Sequence, residues 1–359
     1  MEVRRDVAGY DIGGANVKVV HFPGGAAGPR LVIEPYEIWR DAERLVSVLK
    51  DTAERVGVQA GCPLAVTMTA ELADVFRTKR EGVLFVLEAV KTAFPGHSVS
   101  YLDQRGKFVS ARVAKTDPVS LAATNWIGSA LVLARHLPRG ILVDVGSTTT
   151  DIIAFQEGNL LARERTDSGR LCAGELVYSG VIRTNPNTVV SLVPWRGRLC
   201  RVAAEAFACM GDVYLLLGKI SPDDYTAPTP DGRDVSLEDA RGRIARLICA
   251  DEEMVTSSEA GLLARYLEDR QLVLLSEALL QVVSGLSDRG VSPEEFPLVA
   301  AGTGAFLVRE LGRRLGAAVV DEIPGLDPVI RRALPATATA LLLAEDLERQ
   351  TAGGWGSAV

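Results

Sequence analysis

Histidine is scarce in this 359-residue chain: His21, His97 and His136 are the three present, and none has a neighbour at metal-ligand spacing. Chemistry built on imidazole is therefore a poor fit. Carboxylates, lysine, arginine and backbone N–H groups become the candidates. The five cysteines, Cys62, Cys172, Cys200, Cys209 and Cys249, are scattered, odd in number and without a C-x-x-C. That argues against a disulfide framework and against a thiolate zinc site, and it points to a reducing cytoplasm. No run of about 18 apolar residues is present, so a membrane span is not expected. The start, MEVRRDVAGYDIGG, lacks the apolar stretch of a secretory signal. There is no Lys/Arg run, and the net charge of -7 sets the overall field against nucleic acid and anionic membranes. Neither the Walker glycine-lysine loop nor an opening Rossmann glycine fingerprint occurs, so those two nucleotide folds recede.

What is present is a repeat. Residues 10–22 read YDIGGANVKVVHF and residues 143–155 read VDVGSTTTDIIAF. Aligned without gaps, Asp11 meets Asp144, Gly13 meets Gly146, Gly14 meets Ser147 and Phe22 meets Phe155. Each copy is an apolar run, Asp-x-Gly-small, then a second β-branched run, which predicts strand, tight turn, strand. The copies lie about one domain length apart, so two similar lobes are expected, each opening with the same hairpin. The boundary falls at Pro138-Arg139-Gly140. The expected division is 1–138 plus 333–350, then 139–332, with 351–359 as a flexible tail. Helices are expected over 41–57, 80–94, 118–137, 258–287 and the stretch ATATALLLAEDLERQ, and strands at 63–69 and 99–103. NLLARERTDS reads as a third strand after the second hairpin. Residues 221–234 read as a polar contact loop or lid, and 297–316 as strand, glycine turn, helix.

Three glycine turns carry the chemistry: DIGGAN, DVGSTTTD and AGTGAF. Glycine lets backbone N–H groups turn inward onto a phosphate. The expected phosphate-binding set is Gly13, Gly14, Asn16, Gly146, Ser147, Thr148, Thr149, Gly302, Thr303 and Gly304. Asp11 and Asp144 end apolar strands just before their turns, where a carboxylate can hold Mg²⁺ directly or through its waters. Lys18 and Asp151 are equivalent in the repeat, and each is a candidate phosphate contact or base. A solvated strand position is the bland alternative for Lys18. Glu71 and Asp74, at i, i+3 after a strand, are candidates for the base or for binding an amine; a solvated helix start is the alternative. Arg77, Lys79 and Arg183 are candidates for carboxylate or phosphate binding, a surface ion pair being the commoner fate of such residues.

DIGGANVKVV, DVGSTTTDII and AGTG together resemble the phosphate and adenosine loops of the acetate and sugar kinase, Hsc70 and actin superfamily, in its hydantoinase A and oxoprolinase-like branch. VTMTAELADVF, AATNWIGSA, ELVYSGVIRT, EAFACMGDVYLLLG, TPDGR and RIARLICAD narrow the resemblance to the family of tetrahydromethanopterin-linked one-carbon transfer pathway proteins, over about residues 8 to 345. That resemblance implies an α/β, two-lobed actin-like ATPase fold, a duplicated ribonuclease H-like arrangement with a central cleft. It implies a transferase of methanofuran or methylofuran biosynthesis. Such an enzyme condenses an aminomethyl-furanmethyl diphosphate with the phenol of γ-glutamyltyramine, or with a tyrosine-type acceptor, and releases diphosphate. Mg²⁺ is the expected cofactor, with ATP or ADP if a kinase or ring-opening hydrolase of the same superfamily is the better description. A nucleotide-dependent sensor is the non-enzymatic alternative. A homodimer is compatible with the sequence, and no nucleic acid or membrane partner is expected.

Overall fold

The computed structural model describes residues 5–25, 27–287, 295–323 and 332–353. Its contacts divide the chain into two compact units. The first comprises the described residues up to Pro138, Phe155–Leu160 and those from Glu322; the second comprises Arg139–Ala154 and Leu161–Asp321.

In the first unit, β1 (Asp6–Ile12) and β2 (Asn16–Pro23) form an antiparallel hairpin, and β3 (Arg30–Pro35) pairs antiparallel with β2. After helix α1 (Leu45–Val56), β4 (Leu64–Met68) enters parallel to β1. After α2 (Lys79–Ala93), β5 (Val99–Leu102) lies parallel to β4. β6 (Phe108–Ser110) closes the sheet, giving the order β3-β2-β1-β4-β5-β6. β1 and β4 are almost wholly buried, and both read as near-continuous apolar runs, as central strands covered on two faces must. One face packs on α1 and α2 through Tyr10, Ile12, Leu45, Leu49, Val66 and Val86. Two short elements follow, α3 (Ala111–Ala114) and α4 (Asn125–His136).

The second unit repeats the plan. β7 (Arg139–Val145) and β8 (Thr150–Gln156) are neighbours across the second turn; the end of β8 pairs antiparallel with β9 (Asn159–Leu160) inside the segment Phe155–Leu160, which counts with the first unit. Past α5 (Asp167–Ala173), β10 (Leu176–Val177) pairs antiparallel with β8. A separate hairpin, β11 (Leu192–Trp195) and β12 (Arg198–Arg201), precedes α6 (Met210–Leu216), α7 (Leu237–Arg246) and the long α8 (Ser257–Ser287). β13 (Leu298–Ala301) then runs parallel to β7, α9 (Ala305–Leu315) follows, and β14 (Val319–Val320) lies parallel to β13. The order β10-β8-β7-β13-β14 is third, second, first, fourth, fifth, as in the other sheet. Two copies of that order are a duplicated ribonuclease H-like topology, the actin-like fold.

The last described helix, α10 (Leu334–Gly353), belongs to the first unit. Ala333 to Ala344 are buried on every face, which is why the segment is apolar all round. It presses onto β1 at Gly9, where any Cβ would overlap the Ala336 carbonyl.

Several expected elements differ. NLLARERTDS is a strand only at Asn159–Leu160; the third ladder strand is β10, because Thr166 turns the polar run into the cap of α5 by accepting the Gly169 N–H at 3.2 Å. Residues 118–137 are not one helix. Pro118–Leu121 is a 3₁₀ turn, and Ala123 takes a positive φ of 51° before α4 starts. The hairpin at 192–201 went unforeseen: its turn residues Arg196 and Gly197 both have positive φ, 48° and 75°, a geometry usually announced by Asn-Gly. The tail expected from residue 351 is helix through Gly353, and residues 354–359 lie outside the described residues.

Candidate active site

The two Asp-x-Gly turns are built alike. In the first, the Gly13 N–H donates to the Asn16 carbonyl at 3.0 Å; in the second, Gly146 N–H donates to Thr149 O at 2.9 Å. The carbonyls of each turn are taken by the chain behind it. Gly14 O and Ala15 O accept from Ile38 and Tyr36 N–H, both at 3.1 Å. Gly146 O accepts from Val181, and Ser147 O from Ile182 and Arg183, at 2.9–3.0 Å. With the carbonyls bound on one side, the N–H groups of Gly14, Ala15, Ser147 and Thr148 donate to no backbone carbonyl among the described residues. Such outward donors are what a phosphate oxygen requires.

Each turn has its carboxylate. Asp11 is 4% exposed, near the end of β1, directly opposite Lys18 on β2 and Thr67 on β4. The Lys18 ammonium stands 3.7 Å from Asp11 Oδ2. Thr67, whose hydroxyl is 2.9 Å from that of Thr124 at the start of α4, is a neighbour the sequence reading missed. A threonine inside the otherwise apolar strand, in VTMT, was the available signal.

In the second unit, Asp144 pairs in register with Ala301 on β13. Gly302, with φ of 77°, lies so close that a Cβ there would overlap Asp144 Oδ1 and Val145 O. Gly304 N–H donates to Val145 O at 2.8 Å, and α9 begins at the next residue. Asp144, the Ser147–Thr149 turn, Gly302–Gly304 and the positive end of the α9 dipole therefore gather at the ends of two parallel strands. Thr303 is exposed at that edge. The backbone of Arg183 is bonded to the turn itself, which puts this expected substrate-binding residue beside it.

Other expected site residues have other settings. Asp151 is bound to Arg170, with Nη2 2.6 Å from Oδ1, and Arg170 is 1% exposed. Arg170 also donates to the Glu175 carbonyl at 2.9 Å, so the pair ties α5 and β10 to β8. Asp151 thus differs in setting from Lys18, its partner in the repeat. Glu71 is buried in a 3₁₀ turn, Ala70–Leu72. Ala73 is already extended, with ψ of 143°, and Asp74 lies exposed beyond it. The expected shared helical face does not form, because the turn ends before the i+3 position. Arg77 and Lys79 flank Thr78, which caps α2 by accepting the Glu81 N–H at 3.1 Å. Their charges stand at the positive end of a helix dipole, where an anion would offset them.

The motifs EAFACMGDVYLLLG, TPDGR and RIARLICAD meet around one buried arginine. Arg243, fully buried, donates to Asp212 at 2.8 Å and to Asp231 at 3.1 Å. Tyr225 donates to Asp212 at 3.2 Å. Burial raises the Asp212 carboxyl above its usual range against the opposing pull of Arg243. The loop expected as a lid is thereby anchored at Tyr225 and Asp231.

The hydantoinase/oxoprolinase family matches residues 64–341. A protein of Methanocaldococcus jannaschii, named (4-{4-[2-(gamma-L-glutamylamino)ethyl]phenoxymethyl}furan-2-yl)methanamine synthase, is 33% identical over 344 residues, 96% of this chain and 99% of that protein. A protein of the same name from Methanococcus vannielii is 38% identical over 120 residues, 33% of this chain and 54% of that protein. Among solved structures, nucleotide-free acetone carboxylase superposes with a TM-score of 0.59 at 12% identity, over 94% of this chain and 70% of that one, a likeness of fold. No helix among the described residues is long and apolar enough to cross a membrane.

Proposed function

Because this chain belongs to the hydantoinase/oxoprolinase family and aligns almost end to end with a furan methanamine synthase, we propose that it is the transferase making the same phenoxymethyl-furan ether in methanofuran-type biosynthesis. The observation that carries this reading is the 33% identity running through 96% of this chain and 99% of the synthase. The reaction joins the phenol oxygen of γ-glutamyltyramine, or of a tyrosine-type acceptor, to the methylene carbon of an aminomethyl-furanmethyl diphosphate. The new O–CH₂ bond replaces the bond from that carbon to the diphosphate oxygen. Diphosphate leaves with the bonding pair, and the phenolic proton goes to a base. The furan ring delocalises positive charge at the methylene, which favours a loose transition state in which leaving-group stabilisation matters most.

The residues fit that task. Ser147 and Thr148 N–H groups, the hydroxyls of Ser147, Thr148 and Thr149, and Gly302–Gly304 at the start of α9 bind diphosphate oxygens. In the other unit, Gly13, Gly14 and Asn16 form the matching device, with Lys18 as a point positive charge. Asp144 in its unit, and Asp11 in the other, each offer oxygen ligands, the donor type Mg²⁺ selects, and each would hold it directly or through its waters. Mg²⁺, when bound, neutralises charge on the departing diphosphate. Glu71, buried just after β4, is the better placed candidate for the phenolic proton or the substrate amine; Asp74, exposed, is the second. Arg77, Lys79 and Arg183 receive substrate carboxylate or phosphate. A reducing cytoplasm suits five free cysteines.

The test incubates purified protein and Mg²⁺ with the furan diphosphate and a tyramine-type phenol, and separately with ATP. Equimolar diphosphate and ether, without ATP, is the expected result. Phosphate or ADP from ATP, with no ether from the diphosphate, would transfer the chain to the kinase or ring-opening hydrolase reading.

A further inference from the structure

The turns and carboxylates of the proposed reaction leave out a trio at the other end of β1. Asp6 begins that strand, His21 lies opposite Ala8 on β2, and Cys62 stands two residues before Leu64, which pairs with Ala8 from the β4 side. Three segments distant in sequence thus converge around one small residue. The His21 nitrogen, the Cys62 sulfur and an Asp6 oxygen all lie within 4.8 Å of one another. His21 and Cys62 are each 2% exposed, while the Asp6 side chain is 41% exposed.

The hydrogen bonds fix the imidazole. His21 Nδ1 is 2.9 Å from the Val56 carbonyl, and a carbonyl can only accept, so Nδ1 carries the proton. Nε2 then presents its lone pair, and it faces Asp6 Oδ1 at 2.7 Å. Two acceptors at 2.7 Å share a proton; a metal ion that replaces it draws them apart to roughly 3.3 Å, the edge of a tetrahedron with bonds of about 2.0–2.2 Å, which the partly exposed Asp6 can take up. A histidine whose remote N–H is bound to a backbone carbonyl is the form in which imidazole serves as a metal ligand. The arrangement is wrong for nucleophilic catalysis. In a cysteine–histidine–aspartate relay the carboxylate and the thiol contact opposite ring nitrogens, whereas here the backbone takes Nδ1 and the carboxylate faces Nε2, which leaves the thiol no ring nitrogen of its own.

The geometry points to a zinc site formed by Asp6, His21 and Cys62, with a solvent ligand entering past the exposed side of Asp6. One nitrogen, one thiolate and one carboxylate make a borderline-soft donor set that selects zinc over magnesium. Bound there, the ion fastens β1, β2 and the loop before β4 at the end of β1 away from Asp11, roughly 17 Å along the strand at about 3.3 Å per residue.

The test uses the full chain, stripped with a chelator and titrated with Co²⁺ and then Zn²⁺. A thiolate-to-cobalt charge-transfer band saturating at one equivalent and bleached by zinc is expected. So is a rise in melting temperature with zinc. Cys62→Ser abolishes the band. Asp6→Asn, a partly exposed and near-isosteric change that leaves the fold intact, weakens zinc binding at least tenfold and leaves the ether-forming rate as it was. If Cys62→Ser does not fold, the wild-type band and the Asp6→Asn affinity still decide the matter. No charge-transfer band in the wild-type chain, a band of equal intensity in folded Cys62→Ser, or unchanged affinity in Asp6→Asn overturns the site and leaves a hydrogen-bonded trio closed by a proton.

Discussion

Asp11 and Asp144 ask for the same experiment because each stands before the same turn. An Asn in place of either keeps the shape and removes the charge. Asp11→Asn and Asp144→Asn should each lower kcat for ether formation on the order of a hundredfold, the scale of losing one transition-state charge contact, with far-ultraviolet circular dichroism unchanged. Near-normal rates in both remove the metal assignment. The glycines separate folding from binding. At Gly14 a Cβ meets nothing within 4 Å, so Gly14→Ala should cost less than about 0.5 kcal/mol of stability. It should nevertheless raise KM for the diphosphate, because the methyl enters the space a phosphate oxygen needs. An unchanged KM removes Gly14 from the binding set. At Gly302 the positive φ and the overlap with Asp144 Oδ1 mean that Ala damages fold and rate together. At this scale the Asp-x-Gly turns were legible because their chemistry is local. Arg170 was not legible as the partner of Asp151, nor Cys62 as the neighbour of His21, since those meetings depend on strand register.

Two ties hold elements of the second unit, and each makes a separate prediction. The buried Asp151–Arg170 pair joins β8 to α5. Removing one charge leaves the other uncompensated, so Arg170→Met should cost about 3–5 kcal/mol in urea unfolding. Replacing both, Asp151→Leu with Arg170→Met, should restore most of it. If the double variant is stable and active, Asp151 acts as a tie; if stable and inactive, it is a reacting group after all. The start of α8 carries a reciprocal cap: Thr256 N–H and hydroxyl donate to Glu259 at 2.9 Å, and Glu259 N–H returns to Thr256 Oγ1 at 3.3 Å. A hydrogen bond from Arg196, then those from Thr256, hold the Glu259 carboxyl down from 4.5 to about 2. The unfolded chain therefore takes up that proton first as pH falls. The stabilisation is full above about 4.5 and is lost as pH falls through about 2. Glu259→Gln should flatten the decline of melting temperature between about pH 5 and pH 2; an identical decline would show that the cap does not titrate with folding. Long helices such as α8 were legible from periodicity. The break before α4 was not, because a positive φ at an alanine leaves no mark in the residue pattern.

On the scale of the molecule, the repeated Asp-x-Gly hairpin announced a duplication, and the two sheets have the same strand order. The expected division already returned the stretch from residue 333 to the first unit; what it left out is the short return at Phe155–Leu160 and the earlier re-entry at Glu322. α10 is part of that unit's core. Leu334, Leu341, Leu342 and Leu343 are each at most 3% exposed, and Ala336 backs directly onto Gly9 of β1. Four buried leucines at about 2 kcal/mol each are comparable with the roughly 5–15 kcal/mol that holds a whole domain folded. A chain cut after Asp321 should therefore lose the first unit selectively. Hydrogen exchange should become fast in β1, β2 and β4 while β7, β8 and β13 keep their protection, because the second unit's core from Ile141 to Leu311 contains no residue of the removed segment. The binding consequence follows from the same division: the truncated chain retains Asp144, the Ser147–Thr149 turn and Gly302–Gly304, and should still bind inorganic diphosphate weakly while making no ether. Full protection of β1 after truncation would mean that the first unit stands without its last helix, and complete loss of diphosphate binding would mean that the second turn alone is not an anion site.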